Sequence, residues 1–333
     1  MSIRLRNMVA ALRARLGWNW IGFALSATIV GISIYVLAHL LRDIDIDRVV
    51  ANVRAMPASS IGWAIFFIAG AYATLTCYDL FALRTIGANH VPYRIAALAS
   101  FTSYSIGHNI GATVFTGGAI RYRIYSFFGL RLLDIAKLCF VTGLTFWLGN
   151  ITVLGLGLIW EPAAASAVDH LPVWSNRAIG IAALVLLAGY VIYVGRKPRS
   201  FGTERWRVTL PNGRLTLVQI AIGITDLSLC AVAMALLIPS EPAIDFVALA
   251  VIFVFATLFG FASHAPGSLG VFDAAMIVGL EQFNREELVA GLLLFRLLYF
   301  IIPFALALTA VGLRELWLAV GRAEPIARPE HWP

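Results

Sequence analysis

Residues 95–120 read IAALASFTSYSIGHNIGATVFTGGAI and decide what kind of fold the chain can form. The stretch contains no Asp, Glu, Lys or Arg, and it is longer than the roughly 20 residues that one helical membrane crossing needs. A single crossing would place the basic residues that follow, from Arg121 to Lys137, on the outer face, against the cytoplasmic excess of Lys and Arg. The glycines and hydroxyl residues also interrupt a plain apolar helix. The pattern therefore predicts a hairpin that enters from the cytoplasm and returns to it.

A second broken stretch lies at 246–280, in the other half of the chain. Its apolar run is interrupted by SHAPGSLG, residues 263–270, and then resumes. Because acidic residues flank this stretch, we expect its hairpin to enter from the outer face. Two such hairpins are typical of inverted-repeat transporters, which place unwound backbone at the membrane midplane. In the alternative interpretation the glycines are helix-packing positions, as the G-x-x-x-G spacing of Gly107 and Gly111 allows.

The composition supports a membrane protein. Of the 333 residues, 60% are hydrophobic and 13% are charged, whereas soluble domains carry roughly 25% charged residues. This excludes a soluble enzyme, a disordered chain and a secreted disulfide scaffold. The net charge is +7, but the basic residues lie at the ends of apolar segments and no polar stretch could fold a recognition module, so we expect no nucleic-acid partner.

Six further apolar segments predict full membrane spans. The four Arg residues before the first of them place the N-terminus in the cytoplasm, and the last returns the C-terminus there. The first exceeds a signal-peptide core in length, so we expect a retained anchor. The predicted fold is one all-α polytopic membrane domain over 1–333, consistent with an inverted repeat. Its spans are 16–41, 55–78, 138–160, 178–195, 215–240 and 288–313, and its re-entrant hairpins are 95–120 and 246–280.

Sequence motifs of soluble enzymes are missing. The chain has no nucleotide-binding loop, no zinc-protease helix and no hydrolase nucleophile elbow. We therefore predict no enzymatic activity, no catalytic residue, no metal site and no cofactor.

The candidate site consists of polar groups at membrane depth, where a charged side chain costs about 2.5–3.5 kcal/mol on insertion scales. Arg296 is the sharpest case, eight residues into its span. It forms either a buried ion pair with Asp273 or Asp226, or a ligand for a lipid phosphate, which the arginine fork fits by geometry. Asp226 balances Arg296 or holds a cationic headgroup or a proton.

The remaining candidates accompany the two breaks. Arg121 and Arg123 are headgroup ligands or positive-inside anchors. The histidines are site residues or satisfied helix-packing groups. The predicted headgroup set is completed by His108, Asn109 and His264, and the predicted hairpin backbone by Gly107, Gly111, Gly117, Gly118, Pro266, Gly267 and Gly270.

Four short motifs carry a family resemblance. The sequences SYSIGHN (103–109), TGGAIRYR (116–123), PGSLGVFD (266–273) and FRLLYFIIP (295–303) resemble signatures of the lysylphosphatidylglycerol synthase transmembrane-region family, the flippase portion of bacterial multiple-peptide-resistance proteins. The third motif departs from the usual Gly-Gly and final Glu. The resemblance implies a polytopic protein of the bacterial inner membrane that moves or handles lipids. It does not carry over the synthase activity, which belongs to a cytoplasmic domain.

Three functions are compatible with these observations. The first is translocation of an anionic or aminoacylated phospholipid between leaflets, with membrane phospholipids and a separately encoded lipid-modifying enzyme as partners. The second is a non-transporting scaffold for lipid or envelope-polysaccharide enzymes, and the third is an intramembrane transferase. The sequence leaves homo-oligomerisation open.

Overall fold

A computed structural model describes residue 42 and residues 44–323, apart from 112, 198, 204 and 205. The span expected at 16–41 lies outside the described residues. Within them the chain forms helices and one two-stranded sheet, which confirms the all-α polytopic fold. In chain order the elements are α1 (Ile46–Ala55), α2 (Ala58–Thr85), α3 (Tyr93–Ile110), α4 (Thr113–Tyr125), α5 (Leu132–Trp160), α6 (Pro162–Asp169), α7 (Val173–Arg196), β1 (Ser200–Thr203), β2 (Trp206–Thr209), α8 (Gly213–Ala235), α9 (Phe246–Ser263), α10 (Val271–Gly279), α11 (Arg285–Phe295) and α12 (Ile302–Ala323).

Six helical segments of the described chain are long and apolar enough to cross a membrane. They are α2, α5, α7, α8, α9 and the continuous segment Arg285–Arg314. All except α9 correspond to expected spans. The helix α9 lies in the segment expected as a hairpin, and its 18 residues rise about 27 Å, which is enough for a crossing.

Two helices end at other residues than the expected spans. A charged residue does not by itself end a helix, whereas a proline does. The helix α2 continues through Asp79 and Arg84 to Thr85, beyond the expected end at residue 78. The helix α8 stops at Ala235 instead of residue 240, since prolines follow in 236–245 and cannot continue a helix.

Side-chain caps fix the start of three helices. Asn212, Asp245 and Asn284 each accept a hydrogen bond from a backbone N–H of the first turn of α8, α9 and α11, respectively. Such caps satisfy donors that have no partner inside the helix. They hold the spans that carry Asp226 and Arg296 at defined starting points.

The first hairpin is an antiparallel pair of helices. The helix α3 ends at Gly111, whose φ of 84° is accessible to glycine, and α4 begins at Thr113. Gly107 faces Thr113 and Gly117 faces Ser103 across the pair: a Cβ on Gly107 would lie 3.1 Å from Thr113 Cγ2, and one on Gly117 would lie 3.3 Å from the Ser103 carbonyl oxygen. Small residues at these positions let the two legs pack closely.

The second hairpin follows the same plan with a longer break. The helix α9 ends at His264, a single 3-10 turn covers Pro266–Ser268, and α10 runs back over Val271–Gly279. Positive φ angles at Gly267 (61°) and Gly270 (79°) turn the backbone. The break and the start of α10 pack on the C-terminal part of α9: a Cβ on Gly260 would lie 2.6 Å from Ser268 Cβ and 3.7 Å from Phe272 Cβ.

The tips of the two hairpins contact each other. A Cβ on Gly111 would lie 2.8 Å from the carbonyl oxygen of His264 and 3.3 Å from the nitrogen of Pro266. The breaks of the two halves of the sequence therefore meet at one place in the structure. The spans α2, α8 and Arg285–Arg314 enclose this place, and they share one hydrophobic core that includes Tyr72, Met234 and Phe295.

Candidate functional site

A cavity of about 160 Å³ lies where the two hairpin tips meet. Most of its wall is aromatic and aliphatic, with a few polar groups among them, as in many ligand sites. Both hairpins, α8 and the last span contribute to it. The polar side chains on the wall are Tyr78, Tyr104, His108, Thr113, Asp226, Thr257, His264, Ser268 and Tyr299.

Asp226 provides the carboxylate of this cavity. It projects from α8 and is 6% exposed. The Tyr78 hydroxyl donates to its Oδ2 over 3.3 Å, and its Oδ1 has no hydrogen-bond partner among the described residues. Of the described residues that line the cavity, no other is an Asp, Glu, Lys or Arg. The cavity therefore carries a negative charge whenever Asp226 is ionised.

Arg121, expected as a headgroup ligand, is neutralised by Asp79. Its Nε donates to Asp79 Oδ2 over 2.9 Å and its Nη2 to Oδ1 over 2.7 Å. The Tyr125 hydroxyl donates to the same carboxylate over 2.8 Å, and the guanidinium lies 4.7 Å from the centre of the Tyr104 ring. Arg121 is 4% exposed and Asp79 0% exposed. The pair ties α4, the return leg of the first hairpin, to α2.

Sequence reasoning missed Asp79. The expected span ended at residue 78 because the next residue is charged, although the apolar run resumes immediately after it. A carboxylate inside a run of this kind is itself a signal, since buried charges require partners. Its partner is 42 positions away in the sequence.

Arg296 is paired with Asp273, one of the two alternatives that its position allowed. Nε donates to Asp273 Oδ1 over 2.7 Å, and Nη2 is bonded to Oδ2. The guanidinium also donates from Nη1 to the carbonyl of Gly267 over 2.9 Å and from Nη2 to that of Ser268 over 3.4 Å. The N–H groups of Arg296 that were considered as donors to a lipid phosphate are thus bonded to Asp273 and to backbone carbonyls of the second break. Neither residue of the pair is among those that line the cavity.

Asp273 is held in place by its own helix terminus. The N–H of Gly270 donates to Asp273 Oδ2 over 3.2 Å at the start of α10. An acidic side chain in the first turn satisfies an unpaired N–H and favours the positive end of the helix dipole. The Asp found where the family usually has Glu thus serves both as a helix cap and as the partner of Arg296.

The two histidines line the cavity, whereas Asn109 supports its wall. The His108 ring lies 5.6 Å from the Tyr104 ring and 6.3 Å from the Tyr299 ring, measured between centroids. Nδ1 of His264 is 2.9 Å from the Ala262 carbonyl oxygen. Asn109 Nδ2 donates to the Phe300 carbonyl over 3.0 Å and so connects the first hairpin to the last span.

The remaining candidates divide between the breaks and the helices. Gly111, Pro266, Gly267 and Gly270 lie at the two breaks. Gly107, Gly117 and Gly118 lie inside α3 and α4, the legs of the first hairpin, where the lack of a side chain on Gly107 and Gly117 allows close packing. Arg123 is exposed near the end of α4 and does not line the cavity.

The last span widens next to the cavity. Residues Arg296–Ile301 form a π-helical turn, after which Pro303 provides no N–H to the preceding turn. The Tyr72 hydroxyl donates to the Tyr299 carbonyl over 2.9 Å, and Asn109 donates to the next carbonyl. Side chains from α2 and α3 therefore donate to carbonyl groups that a regular α-helix would bond to N–H groups of its own next turn.

No group of three or more His, Cys, Asp or Glu side chains is placed to hold a metal ion within the part of the chain that the structure describes. The cavity instead combines aromatic rings, hydroxyl groups and one carboxylate. Such a set suits a polar or cationic group of limited size.

Comparison with known proteins identifies relatives over most of the chain. The uncharacterized protein slr0712 of Synechocystis is 27% identical over 294 residues, 88% of this chain and 91% of the relative. The inner membrane protein YbhN of Escherichia coli is 28% identical over 288 residues, 85% of this chain and 88% of YbhN. No family model matches the chain.

A third relative is a named enzyme. The phosphatidylglycerol lysyltransferase of Staphylococcus aureus is 24% identical over 287 residues, which are 83% of this chain but 32% of the enzyme. The chain thus spans about a third of that relative, its membrane part. The resemblance indicated by the sequence motifs is confirmed, and the chain is a multi-pass membrane protein related to this region and to YbhN.

Proposed function

We propose that the protein translocates a phospholipid between leaflets of the bacterial inner membrane, passing the headgroup through the cavity at the two hairpin tips. The observation that carries this proposal is a cavity with one carboxylate in a mostly apolar wall, at the contact of two broken hairpins from the two halves of the chain. Transporters built from inverted repeats place substrate at such breaks. In this proposal both termini lie in the cytoplasm and the protein has no catalytic residue.

The charge of the cavity favours a headgroup that carries an ammonium group. Because Arg121 and Arg296 are each paired with an aspartate, neither offers an unoccupied fork to a phosphate. Asp226 instead offers an oxygen without a partner among the described residues, and Tyr78 and Tyr299 are aromatic groups of the wall that attract cations. Of anionic and aminoacylated phospholipids, the structure therefore supports the aminoacylated class. A separately encoded lipid-modifying enzyme would supply it.

The acyl chains would remain outside the protein. Val114 and Phe115 line the cavity at the start of α4 and are also exposed, Phe115 to 80%. The cavity thus extends to the outer surface of the helix bundle next to the first break. A headgroup entering here would need to bring only its polar part into the protein, with its chains left in the bilayer.

Opening to the two faces would depend on the two ion pairs. One pair ties the return leg of the first hairpin to α2, and the other ties the return leg of the second hairpin to the last span. Each hairpin therefore has its own attachment to the surrounding spans. We propose that the hairpins move in alternation while these attachments keep the other hairpin closed.

The test is a leaflet-exchange assay with purified protein in liposomes that contain lysylphosphatidylglycerol. A membrane-impermeant amine reagent reports the fraction of this lipid in the outer leaflet over time. We expect the wild-type protein to accelerate exchange at least tenfold over empty liposomes, and Asp226→Asn to lose most of this acceleration. Thr225→Ala is the matched control, because Thr225 is the exposed neighbour on the same helix.

Two results would contradict the proposal. One is wild-type protein that leaves the exchange of lysylphosphatidylglycerol and phosphatidylglycerol at the rate of empty liposomes. The other is full exchange by Asp226→Asn. The scaffold hypothesis would then predict stoichiometric co-purification of a partner enzyme.

A further inference from the structure

Asp226 differs from the two other buried carboxylates near the hairpins. Asp79 is bonded to Arg121 and Tyr125, and Asp273 is bonded to Arg296 and a backbone N–H. Asp226 has one long hydrogen bond, 3.3 Å from the Tyr78 hydroxyl, and its Oδ1 has no partner in the described part of the chain. Because Asp226 is only 6% exposed, bulk water does not have free access to replace the missing partner.

The groups that face Asp226 supply no permanent positive charge. The titratable groups that interact with Asp226 or share its cavity are Tyr72 and Tyr78 from α2, Tyr104 and His108 from α3, His264 from the second break, Tyr299 from the last span and Cys230 from its own helix. Among the described residues no Lys or Arg forms an ion pair with Asp226. An ionised carboxylate in such surroundings is costly, and buried acids without a partner take up a proton instead.

We propose that Asp226 is the proton-binding site of a proton–lipid exchange. The inference rests on the proposed translocation of an ammonium-bearing headgroup. In the closed protein without lipid, Asp226 holds a proton. When the ammonium group enters, the carboxylic acid releases this proton to the open side and the carboxylate binds the ammonium. A proton from the opposite side then displaces the headgroup, and the protonated protein returns.

The site can hold only one of the two cations at a time. Oδ2 is already bonded to Tyr78, so Oδ1 is the atom that accepts either the proton or an ammonium hydrogen. This mutual exclusion is what couples the two movements. Lysylphosphatidylglycerol has one net positive charge. For each lipid that crosses, one proton crosses in the opposite direction, so no net charge moves.

Electroneutral exchange has a definite signature in liposomes. A pH difference across the membrane should concentrate lysylphosphatidylglycerol in the leaflet that faces the acidic side, by about tenfold for each pH unit at equilibrium, because one pH unit is a tenfold ratio of protons. A potassium diffusion potential without a pH difference should produce no asymmetry. Dissipating the pH difference with nigericin should abolish the accumulation.

The transport experiment compares wild-type protein with Asp226→Asn, with Thr225→Ala as the control. Accumulation that follows the pH gradient in wild-type and Thr225→Ala protein, and is absent in Asp226→Asn, supports the inference. Wild-type protein that equilibrates the lipid without any response to the pH gradient, or that follows the membrane potential instead, overturns it.

A second measurement does not depend on transport. Infrared difference spectra at neutral pH should show the carbonyl band of a protonated carboxylic acid that is missing in Asp226→Asn and retained in Asp134→Asn, a variant of an acid in the i,i+3 surface pair with Arg131. Asp226→Glu should retain a shifted band, which separates loss of the proton site from loss of the fold.

The two measurements distinguish the two proposals. If the carbonyl band of protonated Asp226 is absent, the proposed proton-binding site is wrong, even if the protein moves the lipid. Presence of the band in a protein that moves no lipid leaves the proton site in place, but it overturns both the coupling and the proposed translocation.

Discussion

Gly111, at the end of the first leg of one hairpin, lies directly against the carbonyl group of His264, at the end of the first leg of the other. A Cβ atom on Gly111 would be 2.8 Å from that oxygen, closer than such contacts occur in proteins. Two breaks separated by about 150 positions in the sequence therefore form one structural unit. Because the cavity lies at this contact, its shape depends on both hairpins together.

Gly111→Ala should destabilise the protein and reduce lipid exchange. The substitution combines a strained φ of 84° with a contact to backbone, and we expect a loss of about 1–3 kcal/mol of unfolding free energy. Gly129→Ala is the matched control, since Gly129 has a φ of 79° but nothing within 4 Å of its added Cβ. Thermal unfolding in detergent micelles compares the two. Equal losses in both variants would show that the contact with His264 has no role.

Removing Asp79 should leave a buried, uncompensated arginine. Asp79→Ala is expected to cost about 3–5 kcal/mol, because the guanidinium of Arg121 stays buried without its partner. The pair Arg131–Asp134 at the start of α5 provides the comparison, because its side chains are 85% and 28% exposed, and Asp134→Ala should cost about 1 kcal/mol through loss of this pair and of the helix cap. Unfolding measurements in denaturant would report both values.

The double variant Asp79→Leu with Arg121→Met tests the role of the same pair in transport. Replacing both charges with apolar groups of similar size should restore much of the stability that Asp79→Ala loses. If the pair also controls movement of the first hairpin, the stable double variant should still exchange lipid more slowly than wild type. Wild-type exchange by a stable double variant would assign the pair a purely structural role.

Arg296→Ala should affect both stability and transport. The substitution removes the partner of Asp273 and the donors to the carbonyls of Gly267 and Ser268, so the second break loses its attachment to the last span. We expect a lower unfolding temperature, together with loss of exchange. Arg296→Lys keeps the charge but cannot form the same fork, and it should be intermediate.

Accessibility of a cysteine placed at Ser268 reports the second break directly. In a protein whose native cysteines are replaced by alanine, Ser268→Cys should react faster with a maleimide when Arg296→Ala is present. An unchanged rate would mean that Arg296 does not hold the break. Because Gly260 contacts Ser268 closely, an increase in this rate reports separation of the second break from α9.

Cysteine labelling in cells should find Trp174 and Gln282 on the same, periplasmic face. The structure supports a shared face, because Val168 Cγ2 would lie 3.0 Å from a Cβ on Gly279, and these residues precede the two labelled sites. Phe201, in the basic β-hairpin, should be labelled only after the inner membrane is permeabilised. Labelling of position 282 from the cytoplasm would overturn the predicted orientation of the second hairpin.

The sequence by itself determined the class of protein and the positions of its interruptions. Long uncharged runs can be stable only as membrane helices, since their backbone groups are satisfied internally and their side chains suit lipid. Gly111 and the segment Pro266–Gly270 could be identified because helix breakers act locally. If Arg296 forms an ion pair, the sequence leaves two possible partners, Asp273 and Asp226, because few charged groups lie at membrane depth.

Only the tertiary structure decided which charged groups form pairs and which one does not. In the sequence both Arg121 and Arg296 are candidate phosphate ligands, among other roles. In the structure they pair with Asp79 and Asp273, and Asp226 is left facing the cavity. Pairing of this kind depends on which helix faces meet, and that is fixed by packing between segments far apart in the chain. The contact between Gly111 and His264 could not be predicted from the sequence for the same reason. The residues at each break end their own helix, but only the packing of the whole helix bundle brings the two breaks together.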